Sequence, residues 1–319
     1  ALQQEYERAM LGVGPIDSIM SDAKVNDLRI FGPKQILVTK GGKTTTSDQT
    51  FVDRHTFELS LQSLYMLSDS DPDDPDVILK GSLGANIQFS VIADPLATTT
   101  PTIRISRLGY PESGEEEHLA DLVKQNVLSP ELATAIDNAV QEKAGIVIVG
   151  PCVKTRTRIL AAVASEIPDT ETACVFSIPA LAPPIDCPAT HVDRRLMQSG
   201  QGFLNDLFSS LSPSRVIATE IQINELAALD GVLPALLEGS SIVATVYSAN
   251  ADAFLTSLEC AMAFGAAGVS SEDRAALIHH TVSLIVETPS DSKSSKAKDF
   301  KASSVELKDG TLTLTPISS

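Results

Sequence analysis

AGIVIVGPCVKTRTRILA, residues 144 to 161, decides the fold. It opens as an apolar strand, passes through a short polar loop and continues as a helix, which is the order of a phosphate-binding loop. A working loop of that kind reads G-x-x-x-x-G-K-[ST]: backbone N–H groups wrap the phosphates, the lysine reaches the β/γ oxygens and the hydroxyl holds Mg²⁺. In that register the stretch supplies Gly150 at the first glycine, Thr155 at the second, Arg156 for the lysine and Thr157 for the hydroxyl. A β-branched Thr155 held at φ > 0 would cost roughly 1–3 kcal/mol, and its side chain would point where phosphate belongs. Arg156 keeps the charge but carries it on a longer planar fork than a compact ammonium. Lys154 and Thr155 offer a lysine–hydroxyl pair two residues early, yet they leave too short a loop after Gly150 to encircle phosphate. The plainer alternative is a βα unit whose loop binds nothing.

Outward from this stretch, the second half alternates helix and strand, the pattern of a parallel α/β sheet. Ser129-Pro130-Glu131 puts a capping residue before a first-turn proline, and Leu132, Ala135, Ile136, Ala139 and Val140 share one face of the helix that follows. Strands are expected at 145–149, 173–178, 215–219, 241–247 and 282–287, and helices near 157–165, 202–211, 222–237, 251–264 and 271–281. VELKDGTLTLTP closes the chain as a hairpin turning at Asp309-Gly310, after a stretch (291–298) expected to be mobile.

The first half reads differently. A helix is expected over 4–22, short strands around a Gly41-Gly42 turn, a helix over about 54–67, and strands again from 77 to 106. The block DSDPDDPD (69–76) lacks the glycine and closing glutamate of a calcium loop and reads as a solvated acidic loop. LGYPESGEEEH has the composition of an exposed linker.

The 319 residues suggest two domains. A net charge of -17 and a pI near 4.6 argue against nucleic acid as a partner, since a phosphate backbone calls for a basic face. No apolar run approaches a membrane span and the first ten residues are too polar for a signal peptide, so a cytoplasmic protein is expected. Cys152, Cys174, Cys187 and Cys260 form no C-x-x-C pair, so no metal site is expected and buried free thiols are. His279 and His280, adjacent on a helix, point to different sides and do not suggest joint metal binding.

Several phrases, in order, resemble those of the secretion ATPase superfamily of type II and type IV secretion and pilus systems, most closely the tight-adherence pilus ATPases. Gly14-Pro15-Ile16-Asp17 looks like the family's Gly-Pro-Leu phrase, FGPKQILVTKGGK stands where an N-G-P strand pair does, and LGANIQF replaces D-G-S-R-V. TIRIS, HVDRRL, LSPSRVIATE and IVATVYSAN resemble the I-R, H-V-x-R-L, R-P-D-R-I-I-V-G-E and L-A-T-I-H-A-N phrases. The resemblance covers nearly the whole chain. It implies an N-terminal α+β domain with a small mixed sheet (1–106), a linker (107–118) and a RecA-like P-loop NTPase domain with a mostly parallel sheet (119–319).

Most catalytic positions of the family are changed here. Its loop glycines fall at Gly150, Pro151, Val153 and Thr155, its acidic phrase at Ser177-Ile178-Pro179, its box histidine at Tyr247 and an N-terminal arginine at Asn86. Glu220 matches the Walker B glutamate that polarises the attacking water, and Glu225, Arg104 and Arg194 are retained. The plainer readings are a carboxylate capping the next helix for Glu220 and ion pairs for the two arginines. The resemblance therefore implies a degenerate member: a pseudo-ATPase without cofactor, acting as a structural or regulatory subunit in a homo-hexamer or in a hetero-oligomer with an active ATPase paralogue. Its partner would be an inner-membrane platform protein, with the chain peripheral at that membrane. The alternatives are a slow Mg-ATP hydrolase in which Lys154 or Arg156 still grips phosphate and Glu220 still acts, and a soluble adaptor that has left secretion.

Overall fold

A computed structural model describes residues 12–68, 78–84, 86–92, 100–109, 117–177, 182–193, 203–227, 233–265, 268–289 and 296–317. The chain divides into two compact units, Ala1–Leu108 and Gly109–Ser319.

The first unit is a six-stranded sheet with two helices among its described residues. Its strands are β1 (Val25–Ile30), β2 (Ile36–Lys40), β3 (Lys43–Thr46), β4 (Ile78–Ser82), β5 (Ile87–Ile92) and β6 (Thr102–Arg107), in the order β3-β2-β1-β6-β5-β4. Helix α1 (Pro15–Met20) buries Ile16, Ile19 and Met20, and α2 (Arg54–Met66) buries Phe57, Leu61 and Leu64. These join Leu28, Ile30, Ile103 and Ile105 in one core. Asp53 accepts from the Thr56 N–H at 2.8 Å while the Thr56 hydroxyl accepts from the Asp53 N–H, a capping box that fixes where α2 starts. Two expectations are corrected. The sheet is not mixed: its pairings are antiparallel, because β1–β2, β2–β3 and β4–β5 are joined by connections too short for a parallel crossover. Nor does a helix run unbroken over 4–22: Gly14 sits at φ 65° and Pro15 takes the first helical position, so α1 begins there. Residues 4–11 and the acidic block 69–76 lie outside the described residues.

The second unit is an eight-stranded sheet in the order β14-β13-β12-β7-β11-β10-β8-β9. Strands β7 (Ile146–Gly150), β8 (Ala173–Ser177), β9 (Ala189–Asp193), β10 (Arg215–Ile221), β11 (Ser241–Tyr247) and β12 (Leu284–Glu287) pair in parallel, and the hairpin β13 (Lys301–Lys308)–β14 (Thr311–Ile317) adds an antiparallel edge. Parallel strands buried on both faces read as continuous apolar runs, which is how IVIVG, ACVFS and SIVATV are written. Around the sheet lie α3 (Leu119–Lys124), α4 (Pro130–Gln141), α5 (Val153–Ala164), α6 (Phe203–Leu211), α7 (Ile223–Ala227), α8 (Leu233–Leu237), α9 (Ala251–Gly265) and α10 (Ser271–Thr281).

The two faces of the sheet carry separate cores. Ile146, Ile148, Ile217 and Val243 pack with α4 and α5, while Val147, Val149, Val216 and Ala244 pack with α9 and α10. Ser129 caps α4 by accepting from the Leu132 N–H at 3.2 Å. Of the single helix expected over 222–237, Ile223–Ala227 and Leu233–Leu237 are helical and residues 228–232 lie outside the described residues; α3 and β9 were not foreseen. Of the stretch expected to be mobile, residues 291–295 lie outside the described residues, and Ala297–Asp299 forms a 3-10 turn. The cysteines are free; Cys174 and Cys187 are buried, while Cys260 is exposed and Cys152 half-buried, which corrects the expectation for those two. Burial pushes the Cys174 thiol up to about 11 and also raises Cys187, which makes both poor nucleophiles.

Candidate functional site

The C-terminal ends of β7, β10, β11 and β12 meet the first turns of α5 and α9, the edge at which open α/β sheets bind ligands. Strand β7 ends at Gly150, whose φ is 149° and where an added Cβ would lie 2.1 Å from Thr288 Oγ1, so only glycine fits. Pro151 and Cys152 follow, and α5 has already started at Val153. The helix expected from 157 therefore starts four residues early. The strain expected at Thr155 does not arise either: Thr155 is a buried residue inside the helix and is not among the residues with positive φ. With the second glycine gone, the loop has wound into helix and only two residues remain outside it.

Arg156 lies one turn into α5 and is 2% exposed. Its Nε donates to Glu220 Oε1 at 3.0 Å, its Nη2 donates to Glu220 Oε2, and its Nη1 donates to the Gly150 carbonyl. Tyr247, paired with Gly150 across β11 and β7, places its ring 5.8 Å from the guanidinium carbon, within cation–π range. The fork thus joins the end of β7, the end of β10 and α5 into one bridge.

Glu220 reaches this bridge through an unusual backbone. It sits at φ 52°, where the β10–β11 register shifts between Ala218 and Ile221. Its N–H donates to the hydroxyl oxygen of Thr245, a fully buried residue of β11, at 2.7 Å. A left-handed non-glycine residue costs on the order of 1–3 kcal/mol, and the Thr245 hydroxyl and the Arg156 fork hold Glu220 there. Glu220 is the acidic half of a largely buried ion pair, 17% exposed on its own side chain.

Thr157, fully buried, accepts from the Gly109 N–H at 2.7 Å and donates to the Val153 carbonyl at 2.9 Å. Nearby, Glu287 at the end of β12 accepts from the Ala251 N–H at 3.1 Å, where a carboxylate complements the N-terminus of α9.

No family model matches the chain, and no curated protein does. Solved structures do. The ATPase DotB of Legionella pneumophila is 13% identical with a TM-score of 0.54, over 95% of this chain and 80% of that one. The pilus retraction motor PilT with bound ADP is 11% identical with a TM-score of 0.51, over 95% and 81%. DotB of Yersinia pseudotuberculosis is 14% identical with a TM-score of 0.51, over 94% and 77%. The fold is that of the ATPase DotB and the pilus retraction motor PilT.

Within this fold, the structure gathers Gly150, Arg156, Tyr247 and Glu220 at one point, with Thr157 on the same helix as Arg156. Lys154 is half-buried on the first turn of α5 and Thr155 is buried behind it. In the first unit, Arg104 Nε donates to Asp27 Oδ2 at 2.8 Å; Arg29 and Ser106 bind the same carboxylate at 2.9 Å, which is the ion pair of the plainer reading. Arg194 and the side chain of Glu225 lie outside the described residues. Thr245, Gly109 and Glu287 were missed by sequence reasoning. A threonine in the otherwise apolar run SIVATV was the one visible signal for Thr245; a glycine in a linker and a glutamate ending a strand gave none. Among the described residues no helix is long and apolar enough to cross a membrane, and no cluster of three or more His, Cys, Asp or Glu is placed to hold a metal.

Proposed function

We propose that this chain is a secretion- or pilus-ATPase homologue that has given up nucleotide hydrolysis and serves as a structural or regulatory subunit of a type II or type IV secretion or pilus machine. The observation that carries the proposal is the Arg156 bridge from Gly150 to Glu220. A magnesium-bound triphosphate does not fit the residues present. Two residues between Gly150 and α5 cannot wrap a phosphate, and the basic group that would reach toward it is turned back onto the carboxylate that would polarise water. The Thr157 hydroxyl that would meet the metal is fully buried and already accepts a backbone N–H. Phosphoryl transfer depends on positioning and charge stabilisation, so these losses leave little to accelerate with. The subunit would work in a homo-hexamer or with an active paralogue, against an inner-membrane platform protein.

Calorimetry with Mg-ATP, with phosphate release followed in parallel, tests this: no binding at millimolar nucleotide and no turnover are expected. Magnesium-dependent phosphate release abolished by Glu220→Gln would overturn it. That outcome would establish the second reading, a slow ATPase with a remodelled loop, which is favoured by the retention of a carboxylate at Glu220 facing α5. Light scattering on the purified chain, alone and with a paralogue, tests the ring.

A further inference from the structure

Where the chain leads into the second unit, it is fastened to α5 at several points. The Gly109 N–H donates to Thr157 Oγ1 at 2.7 Å. Its Cα lies so close to α5 that a Cβ there would meet the Lys154 carbonyl at 1.8 Å and the Arg158 Cβ at 2.7 Å. Glu117 forks with Arg158, whose Nε donates to Glu117 Oε2 at 2.8 Å, and Gln125 donates to the same carboxylate at 3.1 Å. Two residues beyond the end of α5, Glu166 accepts from the Leu119 N–H at 3.1 Å, with His118 Nδ1 3.4 Å from the same oxygen. From Lys154 to Glu166 these attachments cover about 18 Å of chain at 1.5 Å per helical residue.

We propose that this lead-in segment, Gly109 with residues 117–119, is a clasp on α5 pinned by the Thr157 hydroxyl. The hydroxyl has one proton, which it gives to the Val153 carbonyl, and it takes the Gly109 N–H on its oxygen. Gly109 takes one of the oxygen's two lone pairs and, with Thr157 fully buried, covers the hydroxyl from phosphate or metal. The clasp is therefore a second closure of the site, independent of the Arg156 bridge, and it positions the first turns of α5. The inference rests on the fold's assignment of α5 as the helix after the phosphate-type loop, not on whether nucleotide binds.

Amide hydrogen exchange by NMR on the full chain without nucleotide tests it, so its failure is separate from that of the calorimetric test. The Gly109 amide is expected to be protected. Thr157→Val, which removes the acceptor at nearly constant volume, should speed its exchange at least tenfold while β7 amides stay unchanged, and Thr157→Ser should restore protection. Gly109→Ala, whose Cβ cannot fit, should release the amides of residues 117–119 as well and serves if Thr157→Val does not fold. A Gly109 amide that exchanges as fast as unstructured chain in the wild type, or that is unaffected by Thr157→Val, would overturn the clasp. So would failure of Thr157→Ser to rescue.

Discussion

At the scale of single residues, the site is governed by how one arginine is satisfied. Arg156 is almost wholly buried and its charge is met by Glu220. Removing one partner of such a pair strands the other, at about 3–5 kcal/mol. Arg156→Ala should therefore lower urea-measured stability by that order, and Arg156→Met combined with Glu220→Gln should lower it by less than the sum of the two single changes. Thr245→Val deletes the acceptor beneath the Glu220 N–H and should cost about 1–3 kcal/mol. A second buried pair gives a pH dependence. Arg215 Nε donates to Glu171 Oε2 at 2.6 Å, and chiefly through that hydrogen bond Arg215 holds the Glu171 carboxyl below its ordinary value of 4.5. A carboxyl depressed in the folded state contributes stability that is present above its unfolded pKa and lost as pH falls through the lower folded one. The advantage of wild type over Glu171→Gln should accordingly be full above about pH 4.5 and shrink below it in acid-unfolding titrations.

At the scale of elements, local signals and tertiary demands divide the boundaries between them. The starts of α2 and α4 are written in Asp53-x-x-Thr56 and Ser129-Pro130, and in each case a side chain caps the first turn. Ser129→Ala should cost about 1 kcal/mol in thermal or urea unfolding, the usual worth of an N-cap. The start of α5 was not legible. Its N-cap, Cys152, makes no side-chain capping hydrogen bond, and the register of a phosphate loop suggested a later start. Helix wins there because Val153, Thr155, Arg156 and Thr157 bury their side chains, and because no glycine remains to hold the loop open. The kink at Glu220 was equally hidden: RVIATE reads as plain strand, and the neighbouring β11 hydroxyl together with the Arg156 fork makes the left-handed turn tenable.

At the scale of the whole molecule, each unit has its own core: the first around Leu28, Phe57 and Ile105, the second on both faces of the eight-stranded sheet. A chain cut to residues 109–319 should fold by itself, giving the far-UV circular dichroism of an α/β protein and a cooperative melt; a molten, non-cooperative fragment would contradict this. The sequence by itself determined the α/β alternation, the parallel run of buried strands and the hairpin at Asp309-Gly310, because hydrophobic period and turn chemistry are local properties. It also determined that the loop after Gly150 lacks glycines and the lysine in register. Only the tertiary structure decided where Arg156 would turn. Its partners Gly150 and Glu220 lie 6 and 64 residues away along the chain, and Tyr247 further still; they become neighbours only when β7, β11 and β10 pair side by side. Spacing in a sequence shows which charges exist; which of them neutralise one another depends on strand order and burial, which no single segment contains.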